Sequence, residues 1–362
     1  MKIMVTGNMG YIGPSVVKQL RQSFPQAHLV GLDMGYFAGC LTHAPVFPEC
    51  RVETQHFSDI RQVAMDIFSG VDVVVHLAAI SNDPMGHAYE EMTWDVNYRA
   101  SIQVAELAKK AGVKGFVFSS SCSVYGSAGE EARIENSPVD PITAYAKSKV
   151  MMERGLEKLA SPEFVVTCLR FATACGMSER LRLDLVLNDF VANAVASRQI
   201  NILSDGTPWR PLINVKDMAR AIDWGVHRAV AGDPRNYLVV NVGSEAWNYR
   251  IKDLADAVAK VIPGVTVTVK KDAPPDKRSY RVNFEMFQSL APSYQPQCDV
   301  WTTIAELKEG LEAMKFQDLD FRQSPSFVRL KRLEELRAKG CINDRLEWME
   351  GHETPSLAGV SR

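Results

Sequence analysis

The chain has no apolar run approaching the roughly 20 residues that a membrane-spanning helix needs. It has no excess of basic residues: 41 Lys and Arg stand against 43 Asp and Glu in 362 residues, a formal net charge of -2. Bulk charge therefore gives no footing for nucleic acid or an anionic membrane, and neither is expected as a partner. The seven cysteines, at 40, 50, 122, 168, 175, 298 and 341, form no C-x-x-C pair and are odd in number. Reduced thiols explain this better than a disulfide framework, so a cytoplasmic setting is expected. The seven histidines lack ligand spacing, and no metal site is expected. The start, Met1-Lys2-Ile3-Met4-Val5-Thr6-Gly7, turns glycine-rich too soon for a signal peptide and reads as a buried strand entering a loop.

Strand and helix signals alternate instead. Strands are expected at Ile3–Thr6, Leu29–Leu32, Val71–Leu77, Gly115–Ser119 and Phe164–Leu169, and helices at Tyr11–Phe24, Val96–Ala111 and Tyr145–Leu159. The nearly continuous apolar run at Val71–Leu77 belongs to a strand covered on both faces. This βαβ order predicts an α/β fold, a Rossmann-type doubly wound parallel sheet over residues 1–171. A smaller C-terminal substrate-binding lobe is expected over 172–327, with segments around 212–245 returning to the sheet. Within it, Asp272–Arg278 reads as a proline-rich charged loop. Residues 328–362 are expected to form a helical extension, Val328–Arg337, and a tail without order from Gly351.

Gly7, Gly10 and Gly13 fall between the first strand and the first helix, with Tyr11 and Ile12 among them. Glycines there let backbone approach a pyrophosphate, and the helix N-terminus offers free amides to it. Asp33 ends the second strand 20 residues after Gly13, where an acid accepts from the adenosine ribose hydroxyls. Met34 and Gly35 follow in place of an arginine, which favours NAD over a 2′-phosphorylated cofactor. Asp59 and Ile60 are expected beside the adenine. Leu77, Ala78 and Ala79 are small enough at a strand end to admit the cofactor, and Ser119 ends a buried strand at the same edge.

Tyr145 and Lys149 stand four apart and share a helix face. A nearby ammonium favours the phenolate, so such a tyrosine can take a proton from an alcohol while hydride leaves the same carbon. The run Ser119-Ser120-Ser121-Cys122-Ser123 follows a strand at the sheet edge where ligands bind, and supplies a hydroxyl to share the substrate oxygen.

Together T-G-N-M-G-Y-I-G, Asp33, H-L-A-A, S-S-S-C-S-V-Y-G and Y-A-K-S-K resemble the extended short-chain dehydrogenase/reductase superfamily, in its NAD-dependent nucleotide-sugar epimerase/dehydratase branch, over about residues 1–315. The resemblance implies Tyr145 as general base, Lys149 on the nicotinamide ribose and Ser121 as hydroxyl partner. It implies Ser123 and Cys122 at substrate-contacting positions, Asn97 near the cofactor, and Asn188 and Arg210 on the substrate diphosphate. Arg278 is a second candidate there. Ser81, Asn82 and Asp83 are expected over the sugar. The family's R-x-x-N-x-Y-G-P stretch here reads R-F-A-T-A-C-G-M from Arg170.

Members that eliminate water carry an Asp-Glu pair where this chain has Cys122 and Ser123, so elimination is disfavoured. The expected reaction is epimerisation of a nucleotide-diphosphate sugar, at C4. A nucleotide-sugar dehydrogenase or 4-ketoreductase is the alternative, and a 4,6-dehydratase or a non-catalytic dinucleotide-binding module ranks lower. A homodimer is expected through the helices near 95–111 and 145–159, which carry extra apolar residues at Val104, Leu107, Val150, Met151 and Met152.

Overall fold

A computed structural model describes residues 1–42, 44–129, 131–270 and 278–349. Most of the expected loop at 272–278 and the tail from 351 lie outside the described residues.

Among the described residues, ten of twelve strands come in chain order as β1 (Lys2–Thr6), β2 (His28–Asp33), β3 (Thr54–Phe57), β4 (Val73–His76), β5 (Gly115–Ser121), β6 (Val165–Phe171), β7 (Thr173–Cys175), β8 (Gln199–Ile202), β9 (Trp209–Asn214) and β10 (Tyr237–Val242). The last two are β11 (Asn248–Arg250) and β12 (Thr266–Val269). Seven of these form one all-parallel sheet in the order β10-β6-β5-β4-β1-β2-β3. The order reverses between β1 and β4, so the loops leaving their C-terminal ends run to opposite faces of the sheet and leave a crevice there. β10 closes the sheet edge, whereas β9 pairs with β7 and β11 in a second sheet. β8 and β12 form a third, two-stranded sheet.

Helices cover both faces. α1 (Gly13–Ser23) starts at a proline-bearing first turn and buries Val16, Val17 and Leu20. α2 (Asp83–Ala88) and α3 (Glu90–Trp94) lead through a π-helical turn, Asp95–Ala100, into α4 (Ser101–Lys110). α5 (Ala144–Leu159) is capped by Thr143, whose hydroxyl accepts from the Ala146 amide. The remaining helices are α6 (Val186–Ser197), α7 (Val215–Ala231), α8 (Ile251–Val261), α9 (Glu285–Leu290), α10 (Val300–Ala313) and α11 (Arg329–Ala338).

Side chains alternate across the sheet into two cores. Ile3, Val5, Val73, Val75 and Val117 meet α1 and α7 on one face. Met4, Val74, Phe116 and Phe118 meet Val104 of α4 and Met152 of α5 on the other. Burial on both faces is why these strands read as unbroken apolar runs. The lobe core is continuous with the first of these through α6, α8 and α10. Val104, Val150 and Met152, which pointed to a partner subunit, are buried inside the chain itself. Only Leu107 and Met151 of that set stay half-buried. No helix among the described residues is long and apolar enough to cross a membrane.

Candidate active site

A cavity of about 940 Å³ opens at the crevice between β1 and β4 and runs to the lobe. The strand-to-helix turn forms its floor. Gly7 has a φ of 74°, and a Cβ there would lie 2.6 Å from the Ala78 amide nitrogen. A Cβ on Gly13 would lie 1.9 Å from the Asn8 carbonyl, so the helix can start this close only on glycine. Gly7, Gly10, Tyr11, Ile12 and Gly13 line this floor. Leu77, Ala78 and Ala79 face it from the end of β4.

Asp33 lines the cavity at the end of β2. Its carboxylate accepts from the Met9 amide (3.0 Å) and the Gly35 amide (2.8 Å), which fixes its orientation across the turn. Burial pushes its carboxyl above the ordinary range against these two donors. Asp59 and Ile60 face the same space, with Asp59 held two-pronged by Arg61 at 2.6 and 2.8 Å. A fixed acid acceptor, a bare glycine turn and no basic side chain over Met34–Phe37 fit a dinucleotide with free ribose hydroxyls.

The other end gathers the residues expected to be catalytic. Tyr145 and Lys149 project from α5 into the cavity beside Ser119, Ser121 and Ser123. The Ser121 hydroxyl works to lower the Tyr145 pKa, as does the Arg182 charge. Burial and the Asp83 carboxylate outweigh both and hold Tyr145 up at about 12. Lys149 Nζ donates to the Ser119 carbonyl at 2.7 Å and lies 5.5 Å from the Tyr145 ring centre. Burial lowers Lys149 to about 8, partly offset by the Glu153 carboxylate. Arg182 contributes positive charge that lowers Tyr145, and Lys149 stands at the same end of the cavity. The buried Ser123 Oγ faces the cavity without a hydrogen-bond partner among the described residues, a ready contact for a ligand hydroxyl.

Ser81, Asn82 and Asp83 form the rim. Asn82 caps α2 through the Met85 amide and donates to Asp184 at 2.9 Å. Asp83 accepts from Thr143 and from Arg278, both at 2.7 Å. Arg210 also lines the cavity, stacked 5.8 Å over the Tyr280 ring and donating to the Trp209 carbonyl.

Three expected site residues do not reach the cavity. Asn97 is buried in the π-helical turn, and its amide is spent on both backbone groups of Ile80 and on Ser148. These bonds position the loop after β4. Cys122 points into the core, with its thiol on the Arg170 carbonyl and its pKa pushed up by burial. Asn188 is fully buried, bonding the Gly176 amide, the Arg182 carbonyl and the Tyr11 hydroxyl. The lobe residues that face the cavity there include Asp184, which lies just ahead of α6. Sequence reasoning missed it together with Arg182, which grips Asp184 through two 2.9 Å bonds and donates to Ser81 at 3.0 Å. The R-L-R-L-D spacing was the available signal. Among the described residues no cluster of His, Cys, Asp and Glu could hold a metal.

Residues 3–243 match the model of the NAD dependent epimerase/dehydratase family. A UDP-glucose 4-epimerase of Neisseria gonorrhoeae is 31% identical over 280 residues, 67% of this chain and 80% of the relative. UDP-glucuronic acid decarboxylase 6 of Arabidopsis thaliana is 24% identical over 331 residues, 89% of each chain. Among solved structures, UDP-glucose-4-epimerase of Stenotrophomonas maltophila, with bound NAD and formylated UDP-arabinopyranose, superposes with a TM-score of 0.73 at 21% identity. That match covers 87% of this chain and 99% of the other. Sheet order, glycine turn, fixed Asp33 and the family match agree, and the chain is an NAD-dependent enzyme belonging to the epimerase/dehydratase family within the extended short-chain dehydrogenase/reductase superfamily.

Proposed function

We propose that this enzyme epimerises a nucleotide-diphosphate hexose at C4, with UDP-glucose as the first substrate to test. One observation carries the reading: Tyr145, Ser121 and Lys149 line the same cavity as the glycine turn, and Cys122 and Ser123 follow Ser121 in place of an Asp-Glu pair. Cys122 lies in the core and Ser123 is a hydroxyl, so neither supplies the proton transfers of elimination.

NAD, when bound, supplies a hydride acceptor that returns the hydride later in the cycle. Ser121 and Tyr145 receive the C4 hydroxyl, and Tyr145 takes its proton as the carbon is oxidised. The 4-keto sugar then turns over in the cavity. Tyr145 returns the proton to the oxygen after the opposite face is reduced. Ser123 and the Ser81–Arg182–Asp184–Asn82 network offer donors and acceptors to the sugar, and Arg210 and Arg278 suit its diphosphate. Assembly as a cytoplasmic homodimer through α4 and α5 is part of this reading and is read by light scattering.

The enzyme is incubated with UDP-, dTDP-, GDP- and CDP-linked hexoses, and products are followed by NMR with NADH absorbance in parallel. The reading expects an inverted sugar without net NADH. A keto sugar with matching NADH supports the dehydrogenase instead, and a deoxy-keto sugar the dehydratase.

A further inference from the structure

The chain beyond Phe327 carries no motif, yet it is not an appendage. α11 and the turn that follows, closed by an antiparallel bridge between Ile342 and Trp348, lie across the end of β2. Leu333, Leu336, Ile342 and Leu346 form a separate apolar cluster with Ile80, Met85, Tyr89 and Met92. The segment is also tied to the backbone that carries the cofactor turn. The Trp348 indole donates to the Met34 carbonyl at 2.7 Å, and Arg332 donates to the Tyr36 carbonyl at 3.1 Å. Tyr36 in turn donates to the Leu346 carbonyl. Arg61, which holds Asp59, donates to the Arg345 carbonyl at 2.8 Å.

We propose that residues 328–349 are a built wall of the dinucleotide site, with Arg329, Leu333 and Leu346 touching the adenosine-diphosphate half of NAD and holding it resident between turnovers. All three line the cavity that Gly10, Asp33 and Ile60 line. Leu346 keeps a φ of 56°, a left-handed conformation rare for leucine, while only 3% exposed. Packing over the cavity holds it there. Arg329 is 1% exposed, and its guanidinium meets the carbonyls of Arg180 (2.7 Å) and Ser326 (3.3 Å). Among the described residues it forms no ion pair, and burial lowers it to about 10. A buried guanidinium with no carboxylate bonded to it, and only the more distant Asp184 to offset its charge, favours a bound anion, and the cofactor diphosphate is the anion this cavity is shaped to take. A covered cofactor leaves only when the wall moves, so the effect falls on the release rate.

The proposal rests on NAD binding and is tested by the exchange rate of bound NAD. Full-length protein is loaded with radiolabelled NAD and chased with excess unlabelled NAD. Leu346→Gly removes the side chain at a φ that suits glycine. Arg329→Met removes the charge at similar volume, and Trp348→Phe unties the turn while keeping a ring. Circular dichroism selects the folded variants. Release at least tenfold faster than wild type in each folded variant is expected. Rates within twofold of wild type overturn the wall. Wild-type protein that binds no NAD overturns the cofactor reading and the proposal with it.

Discussion

Tyr145 is the residue on which the proposed chemistry turns. Ser121 and the Arg182 charge act to lower its pKa, yet burial and Asp83 outweigh them and hold it up at about 12. Bound NAD⁺ adds positive charge beside it and works in the direction of the phenolate. Tyr145→Phe should lower kcat by about 10²–10⁴-fold, the usual worth of a positioned acid-base group, with NAD affinity unchanged in a titration. Turnover near wild type would refute the assignment. Asp33 acts on binding alone, since its two amide bonds aim the free carboxylate positions at the cavity. Asp33→Ala should weaken NAD about 10- to 100-fold, the loss of a hydrogen bond to a charged group. An unchanged dissociation constant would remove Asp33 from the site.

At the scale of elements, the turn between β1 and α1 is set by contact distance. Gly13→Ala would drive a methyl into the Asn8 carbonyl. Overpacking of this kind costs about 1–3 kcal/mol, so a lower Tm and weaker NAD binding are expected together. A Tm equal to wild type would show that the turn relaxes. β4 is tied to its neighbours by His76, whose ring nitrogens meet Thr6 at 2.9 Å and Ser101 at 2.8 Å. Burial lowers His76 from 6.5 to about 3. Between those values the unfolded chain binds a proton that the folded one refuses, so stability falls as pH falls through this window. Urea melts at pH 7 and pH 4 should show His76→Gln losing less stability on acidification than wild type. An equal loss would place the acid sensitivity elsewhere.

These elements also show what the sequence could tell. The glycine turn, Asp33 and the Tyr145–Lys149 pair were legible because local spacing alone dictates their geometry. β3 was not, since Thr54–Phe57 reads T-Q-H-F, a polar edge strand without an apolar stripe. α10 was legible in principle: Val300, Ile304, Leu307 and Leu311 keep helical spacing behind an Asp299–Thr302 capping box. Asn97, Cys122 and Asn188 do not line the cavity, because a motif gives a residue's position and not the direction of its side chain. Each spends its polar atoms on buried backbone, which only the packed chain reveals.

For the whole molecule, one cavity joins three parts of the chain: the sheet edge, the lobe and the C-terminal segment. Arg182 and Asp184 reach it from the lobe and bond Ser81 and Asn82 of the β4–α2 loop, so the two halves close on each other through side chains that share the sugar end. No local pattern announces such a network, because its members are about 100 positions apart, as the Asn82–Asp184 separation of 102 illustrates. A hydride that leaves C4 and returns to C4 requires this enclosure, since a keto sugar that escapes breaks the cycle. The most direct measurement follows UDP-glucose deuterated at C4 through turnover by NMR. The account predicts deuterium retained at an inverted C4, with no net NADH and none washed into solvent. Deuterium found at C6, lost to solvent or carried off on free NADH would contradict it.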